Sequence, residues 1–532
     1  MEGLVLTVVL GVAVLAGTVL APRLRLAAPL VLLLLGLVLG FVPGLRDVEL
    51  PSEAVLLLFL PVLLFWEALT TSLRSIRRDL RGIILMSTVL VVATAFAVAG
   101  IAYSLGMPWP AALMLGAALA PPDATAIASL GNVLPRRQFA LLRAESLTND
   151  GAALALYTIA VGFAVSGSTS TLEVTSTVAI AYLGGVAAGL ALGALGIAFL
   201  RQTSDALIIN ITMLVLPFAS YLAAEAFGAS GVLSVVTCGL LLSFFSARTS
   251  TALSRRQMHG MWPLGSYVLN GALFVLVGVQ VQASIRQIDP SELGILVLLT
   301  VAVWAVLMVV RYAFQLAGSA AARLLDARLR GAPGGQQLGQ RGRVVSTVAS
   351  FRGAVSLAIA LSVPLTVAGG GPMQGRDEIV FVTAGVIVLT LLVQGPVLPA
   401  LAQWARLPRD TEDQEELDIA RVRMSTVALR ALDDISAELS LSPAVRERLA
   451  TQQRAVSQLA RARDESGQDR SEAPDREDAA AYARGRLALI DLEREELHAL
   501  RRATTIDDEV VRRIEAVLDV EELRLRGIDP QG

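Results

Sequence analysis

Apolar residues run along this chain in long blocks, where a soluble helix or strand would interrupt its apolar run every few residues. Windows of about 19 residues pick out about thirteen such segments between residue 3 and about residue 403. They are centred near residues 12, 35, 60, 93, 119, 155, 187, 216, 238, 273, 302, 357 and 390. A membrane helix needs about 20 mostly apolar residues to cross about 30 Å of hydrocarbon, so each segment is predicted to be a membrane-spanning helix. From Asp410 the pattern changes: Glu, Asp, Arg, Ala and Leu recur with helical periodicity near residues 414–440, 443–465, 478–503 and 507–525. The Gly-, Ser-, Asp- and Pro-containing stretch Asp464 to Asp478 reads as a loop. The expected fold is therefore all-α, a polytopic membrane protein over residues 1–406 followed by a helical tail over residues 410–532.

Composition agrees with a bilayer as solvent: of 532 residues, 54% are hydrophobic and 17% charged. The net charge of -2 hides an uneven distribution, because acidic residues concentrate in the tail and the basic residues are all arginine. Arginines orient the segments. Arg23, Arg25, Arg74, Arg77, Arg78, Arg81, Arg136, Arg137, Arg201, Arg248, Arg255, Arg256, Arg323, Arg328, Arg330, Arg341 and Arg343 follow odd-numbered segments. Arg46, Arg286 and Arg376 follow even-numbered ones. The positive-inside rule then places the N-terminus outside and the tail in the cytoplasm. Glu2 in place of a basic residue makes a poor secretory leader, so the first run reads as a first span. With Cys238 the single cysteine and His259 and His498 the only histidines, neither a disulfide framework nor a transition-metal site is expected, and no cofactor is called for. The tail's acidic excess argues against nucleic-acid binding.

Two segments are interrupted. The fifth reads Gly116-Ala-Ala-Leu-Ala-Pro121-Pro122-Asp123, placing two prolines and an acid inside an apolar run. Proline has no N–H and clashes with the preceding turn, so carbonyls there lose their helical donors, and inside a membrane they must find another partner. The twelfth reads Ser350-Phe351-Arg352-Gly353-Ala354-Val355-Ser356, another polar break. If segments one to six and eight to thirteen are two halves, both breaks fall on the fifth span of a half, the pattern that marks a transporter's midplane site.

Segment six carries Glu145-Ser146-Leu147-Thr148-Asn149-Asp150, in which helical spacing stacks Glu145 over Asn149 and Ser146 over Asp150. A carboxylate in hydrocarbon is costly enough that such residues face protein or water. Desolvation raises the pKa of a carboxyl from about 3.9 towards neutrality, where a proton and a hard cation compete for the same oxygens. The expected ligands are Asp150, Asp123, the Ser146 hydroxyl and carbonyls freed in segment five, with Asn149 supporting and Glu145 paired with Arg352. Glu67 and Glu225, near span ends, read equally as pathway or interfacial residues.

These residues resemble the cation/proton antiporters of the first monovalent-cation class, bacterial sodium/proton antiporters and sodium/hydrogen exchangers. The resemblance spans the membrane region and rests on Glu145-Ser146-x-x-Asn149-Asp150, Phe351 to Ser356, Ser230 to Val236 and Leu60-Pro61-x-Leu63-Leu64-Phe65. It implies about 13 helices in two inverted six-helix repeats with broken crossing helices, a dimerisation domain giving a homodimer, and an elevator-like core. It also implies Asp150 as the essential ion- and proton-binding acid, Asp123 its partner, Ser146 a hydroxyl ligand, Asn149 a scaffold amide, and Glu145 with Arg352 an ion pair. Where the family usually has Thr before the second Asp, this chain has Pro122, so that position offers a cation only its backbone carbonyl. Asn149 beside Asp150 resembles the electroneutral members.

The function expected is exchange of Na⁺, or Li⁺, for H⁺ across a bacterial plasma membrane, with K⁺/H⁺ exchange the near alternative. An intramembrane aspartyl protease also uses two membrane acids, but Asn149 beside Asp150 and Arg352 in its span argue against it. A sensor signalling through the helical tail is a further alternative.

Overall fold

The computed structural model describes residues 2–24, 26–42, 52–71, 85–123, 136–166, 176, 179–245, 249–328, 339–366, 371, 373–406, 412–461 and 476–526. Arg25, Arg46, Arg74, Arg77, Arg78, Arg81, Arg248 and Arg330, used above for orientation, lie outside the described residues, as do residues 464–475 of the tail loop. A helix lies at every predicted segment centre. In chain order these are α1 (Glu2–Leu24), α2 (Ala28–Leu39), α3 (Ser52–Thr70), α4 (Val91–Ser104), α5 (Trp109–Leu119), α6 (Arg136–Ser166) and α7 (Gly185–Leu200). There follow α8 (Ala206–Glu225), α9 (Gly231–Phe245), α10 (Ala252–Gln287), α11 (Leu293–Arg328), α12 (Gln340–Val348), α13 (Ala354–Leu361), α14 (Arg376–Leu389) and α15 (Gly395–Ala405). Among the described residues six helical stretches are long and apolar enough to cross a membrane unaided: Leu4–Leu24, Ile180–Leu200, Ala206–Glu225, Ala252–Arg286, Leu293–Gly318 and Arg376–Ala405. Leu4, Leu183, Leu207 and Val309 are exposed on their outer faces, an apolar surface suited to lipid.

The helices sort into two bundles by what they pack against. In the first, α10 packs along α2 and α1, and α9 packs on α3, α7 and α8. In the second, α5 packs on α4, α6, α13 and α14, while α11 covers α4, α12 and α14. Leu60, Phe65, Val235, Leu273 and Val275 centre the first core; Met114, Leu115, Val303, Ile359 and Val386 centre the second. Contacts of α3 and α10 with α13, and of α10 with α14, join the two.

Close backbone approach holds the first bundle together. A Cβ on Gly36 of α2 would overlap the Val275 carbonyl, and one on Gly278 of α10 would overlap the Leu33 carbonyl. Without a hydrophobic driving force between helices in lipid, such small-residue contacts are what packs them.

The tail forms α16 (Glu412–Glu438), α17 (Pro443–Arg461), α18 (Arg476–Arg502) and α19 (Asp508–Leu525), close to the four predicted stretches. Leu417, Met424, Leu497, Val510 and Ile514 make one apolar core, and Leu432, Leu449 and Leu489 another. Between them Arg486 is buried against Glu493 at 2.9 Å and Glu521 at 2.7 Å. Asp507 caps α19 through Glu509 N.

Gly278→Val should cost about 1–3 kcal/mol by overpacking, seen as a lower midpoint in a thermal size-exclusion assay in detergent. Gly260→Ala, with no atom near the added methyl, should leave that midpoint unchanged; equal effects would contradict the packing described.

Candidate ion site

Helix α5 stops at Leu119 because Pro121 and Pro122 cannot donate to the carbonyls of Ala117 and Ala118. The twelfth segment breaks between α12 and α13, leaving residues 349–353 non-helical. The two breaks meet: Asp123 N–H donates to the Phe351 carbonyl at 2.9 Å. Gly353 makes this approach possible, since a Cβ there would overlap the Asp123 carboxylate.

Arg352 closes the junction. Its Nε donates to the Leu119 carbonyl at 2.6 Å and one terminal nitrogen donates to Ala120 O at 3.4 Å. The other donates to Ser350 O at 2.8 Å and Phe351 O at 3.4 Å. One guanidinium, 2% exposed, thus satisfies carbonyls from both broken segments. The Leu119 and Ala120 carbonyls at the end of α5 are therefore taken by arginine.

The expected Glu145–Arg352 pair is corrected by the same geometry. Glu145 instead takes a bidentate pair from Arg311 of α11, at 2.7 and 2.9 Å, because Arg352 is committed to backbone carbonyls. Arg311 also reaches Ser346 O of α12 at 3.3 Å, and Asn149 Nδ2 donates to Glu145 Oε1 at 3.4 Å. Asn149 therefore supports a carboxylate, and the set ties α6 to α11 and α12. Arg311 was missed in the sequence, although a lone charge inside the span Leu293–Gly318 is signal enough.

Beside the junction lies a small hollow lined by both bundles. The second bundle contributes Pro121, Pro122, Asp123, Ser146, Asp150, Val355 and Ser356, and the first contributes Leu63, Leu64, Glu67 and Asn270. Four predicted residues, Asp150, Asp123, Ser146 and Pro122, are brought together here; Asn149, Glu145 and Arg352 stand behind them. Glu67, left open above, joins the lining: it is 8% exposed, and its Oε1 has no hydrogen-bond partner among the described residues. Glu225 does not join, because its Oε1 accepts from Gly231 N at 3.2 Å and caps α9. Among the described residues no cluster of three or more His, Cys, Asp or Glu side chains forms a metal cage. The hollow is lined by carboxylate and hydroxyl side chains, the oxygens a hard cation takes.

A family model described as sodium/hydrogen exchanger, transmembrane, matches residues 10–404. The chain belongs to the sodium/hydrogen exchanger family. It is a multi-pass membrane transporter that exchanges a monovalent cation for protons, and it is not an enzyme. An uncharacterised Na⁺/H⁺ exchanger of Mycobacterium tuberculosis is 40% identical over 99% of this chain and 97% of its own. The Na⁺/H⁺ antiporter ApNhaP of Aphanothece halophytica is 31% identical over 83% of this chain and 80% of its own. A sodium, potassium, lithium and rubidium/H⁺ antiporter of Bacillus pumilus is 30% identical over 70% of this chain and 57% of its own. The fold is that of the sodium proton antiporter MjNhaP1 of Methanocaldococcus jannaschii, with a TM-score of 0.58 and 19% identity over 76% of this chain and 99% of that one.

Replacing Arg311 by Met should leave Glu145 buried without its ion-pair partner and cost about 3–5 kcal/mol, read as lost monodisperse protein or a much lower melting midpoint. Adding Glu145→Gln should recover more than half of that loss; a double variant as unstable as Arg311→Met alone would deny the pair its structural role.

Proposed function

We propose that this protein exchanges Na⁺, or Li⁺, for H⁺ one for one across a bacterial plasma membrane. Asp150 and Asp123 are the acids for which cation and proton compete. The observation that carries this is the hollow in which those two acids, on one bundle, face Glu67 on the other. An ion bound there sits at a seam between bodies, so sliding one bundle along the other carries it from one side to the other, an elevator-like alternating access. Protonated carboxyls and a carboxylate–cation complex both remove negative charge from a low-dielectric site, so either loaded form can move and the empty anionic one is disfavoured. Ser146 supplies a hydroxyl oxygen and Pro122 a carbonyl, while Asn149, Glu145, Arg311 and Arg352 hold the frame.

Within this reading the membrane unit is residues 1–406, with about thirteen spans in two inverted repeats. The N-terminus lies outside and the tail, residues 410–532, in the cytoplasm. The protein works as a homodimer and without a cofactor. K⁺/H⁺ exchange is the second reading, favoured by Pro122, which gives that position a carbonyl in place of a hydroxyl, and by the B. pumilus relative named for four alkali cations.

Everted vesicles carrying the protein should dissipate a proton gradient when Na⁺ or Li⁺ is added, and Asp150→Asn should respond no more than vesicles lacking the protein. Glu67→Gln should raise the apparent KM for the cation about tenfold, the equivalent of about 1.4 kcal/mol of binding. A response of Asp150→Asn equal to wild type would reject the assignment; a response to K⁺ alone would favour the second reading. Clamping the membrane voltage should leave the rate unchanged, and a strong voltage dependence would reject one-for-one exchange.

A further inference from the structure

The ion hollow has one wall on each bundle, and the two walls offer a cation different chemistry. Asp123, Asp150 and Ser146 belong to the second bundle, whereas Glu67 of α3 and Asn270 of α10 belong to the first. Helices α3 and α10 are locked side by side: Trp66 stacks on Trp262 with ring centroids 5.5 Å apart and planes within 4°, and the Phe65 ring lies 5.9 Å from that of Trp262. Glu67 follows Trp66 in sequence, and Asn270 lies about two turns beyond Trp262 on α10. One wall thus presents a carboxyl and an amide together. A Cβ on the next residue, Gly271, would touch Val14 and Leu32, so α10 backs onto α1 and α2 there while Asn270 lines the hollow. Among the described residues no hydrogen bond engages the Asn270 amide.

Toward the far end of α10 the hollow is shut. Phe274 and Val277, on the face of α10 that carries Asn270, are buried in one apolar core with Leu357, Ala358 and Leu361 of α13 and Val380 of α14. Farther along, Ser284 donates to the Asp377 carboxylate of α14 at 3.3 Å and joins the bundles again. At its other end α10 receives α19 of the tail. There Thr70, three residues after Glu67 on α3, lines a second hollow between α3, α10 and α19. The ion hollow is therefore approached from the tail-docked end of the bundles.

We propose that Asn270 is a cation ligand present only in this arrangement of the bundles, so that Na⁺ is held more tightly from the tail-docked side than from the far side. The proposal rests on the antiport reading above. Sliding one bundle along the other parts Asn270 from Asp150 and Asp123, so a cation released at the far side leaves a site that lacks the amide. An amide suits this task. Its carbonyl oxygen meets a hard cation, and its NH₂ group donates to a neighbouring carboxylate. It adds no negative charge to a low-dielectric site that already holds Glu67, Asp123 and Asp150. Unlike those acids it takes up no proton, so it favours the cation in the competition with H⁺, and only at this face.

The test compares initial rates of Na⁺-driven proton flux in everted and right-side-out vesicles, with the side that bears the tail assigned by protease access to it. Asn270→Leu should raise the KM for Na⁺ about threefold or more from the tail-docked side, at an unchanged maximal rate, and leave the KM from the far side where it was. Asn270→Asp, which keeps the oxygen and adds charge, should lower the KM about threefold from the tail-docked side alone. Ser146→Ala, on the bundle that carries Asp150 and Asp123, should raise the KM from both sides. Asn270 variants that shift both sides alike, or neither, overturn the one-sided ligand and leave antiport standing. Absence of cation-driven flux in the wild type overturns the antiport reading and the role of Asn270 with it.

Discussion

A backbone carbonyl that loses its helical donor inside a bilayer has no water to turn to, and the site depends on how this chain answers that constraint. Two helices break where they meet, one at Pro121 and Pro122, the other between Ala349 and Gly353. Arg352 answers for both by donating to carbonyls of Leu119, Ala120, Ser350 and Phe351. With those groups satisfied, the non-helical strands can cross at the Asp123–Phe351 hydrogen bond, and Asp123 is held at the hollow rather than folded back into a helix. Gly353 is the steric counterpart, because any side chain there would displace the carboxylate.

The remaining buried charges are divided by task. Glu145 and Arg311 neutralise one another through two hydrogen bonds and fasten three helices of the second bundle, with Asn149 bracing the carboxylate. Asp150, one residue beyond Asn149, faces the hollow. Paired charges thus fasten the second bundle, while Asp150 and Asp123 look across the seam at Glu67. The hollow is thus shared between the two bundles.

The tail adds a second layer of arginine–carboxylate contacts outside the hydrocarbon. Its own core is small, and Arg486 with Glu493 and Glu521 cements the helices where apolar packing is thin. Through Asp519 the same chemistry reaches across to the membrane helices, so the tail docks by charge pairs that salt or a competing partner can weaken.

Sequence alone determined the all-helical membrane character, the placement of helices along the chain, both helix breaks and the acids Asp123 and Asp150. Hydrocarbon enforces each through rules that act within one segment: about 20 apolar residues per crossing, no unsatisfied backbone, and few buried charges. The partners were not legible. Arg311 and Arg352 are both arginines inside spans, and spacing along one helix says nothing about which of them meets Glu145 on another. Glu67 read equally well as an interfacial acid until α3 packed against α13 and turned it to the hollow. Only the tertiary structure decided those pairings and the docking of α19 on α10, because contacts between helices remote in sequence follow from how the bundles pack, and a bidentate ion pair forms only where packing brings both ends within about 3 Å.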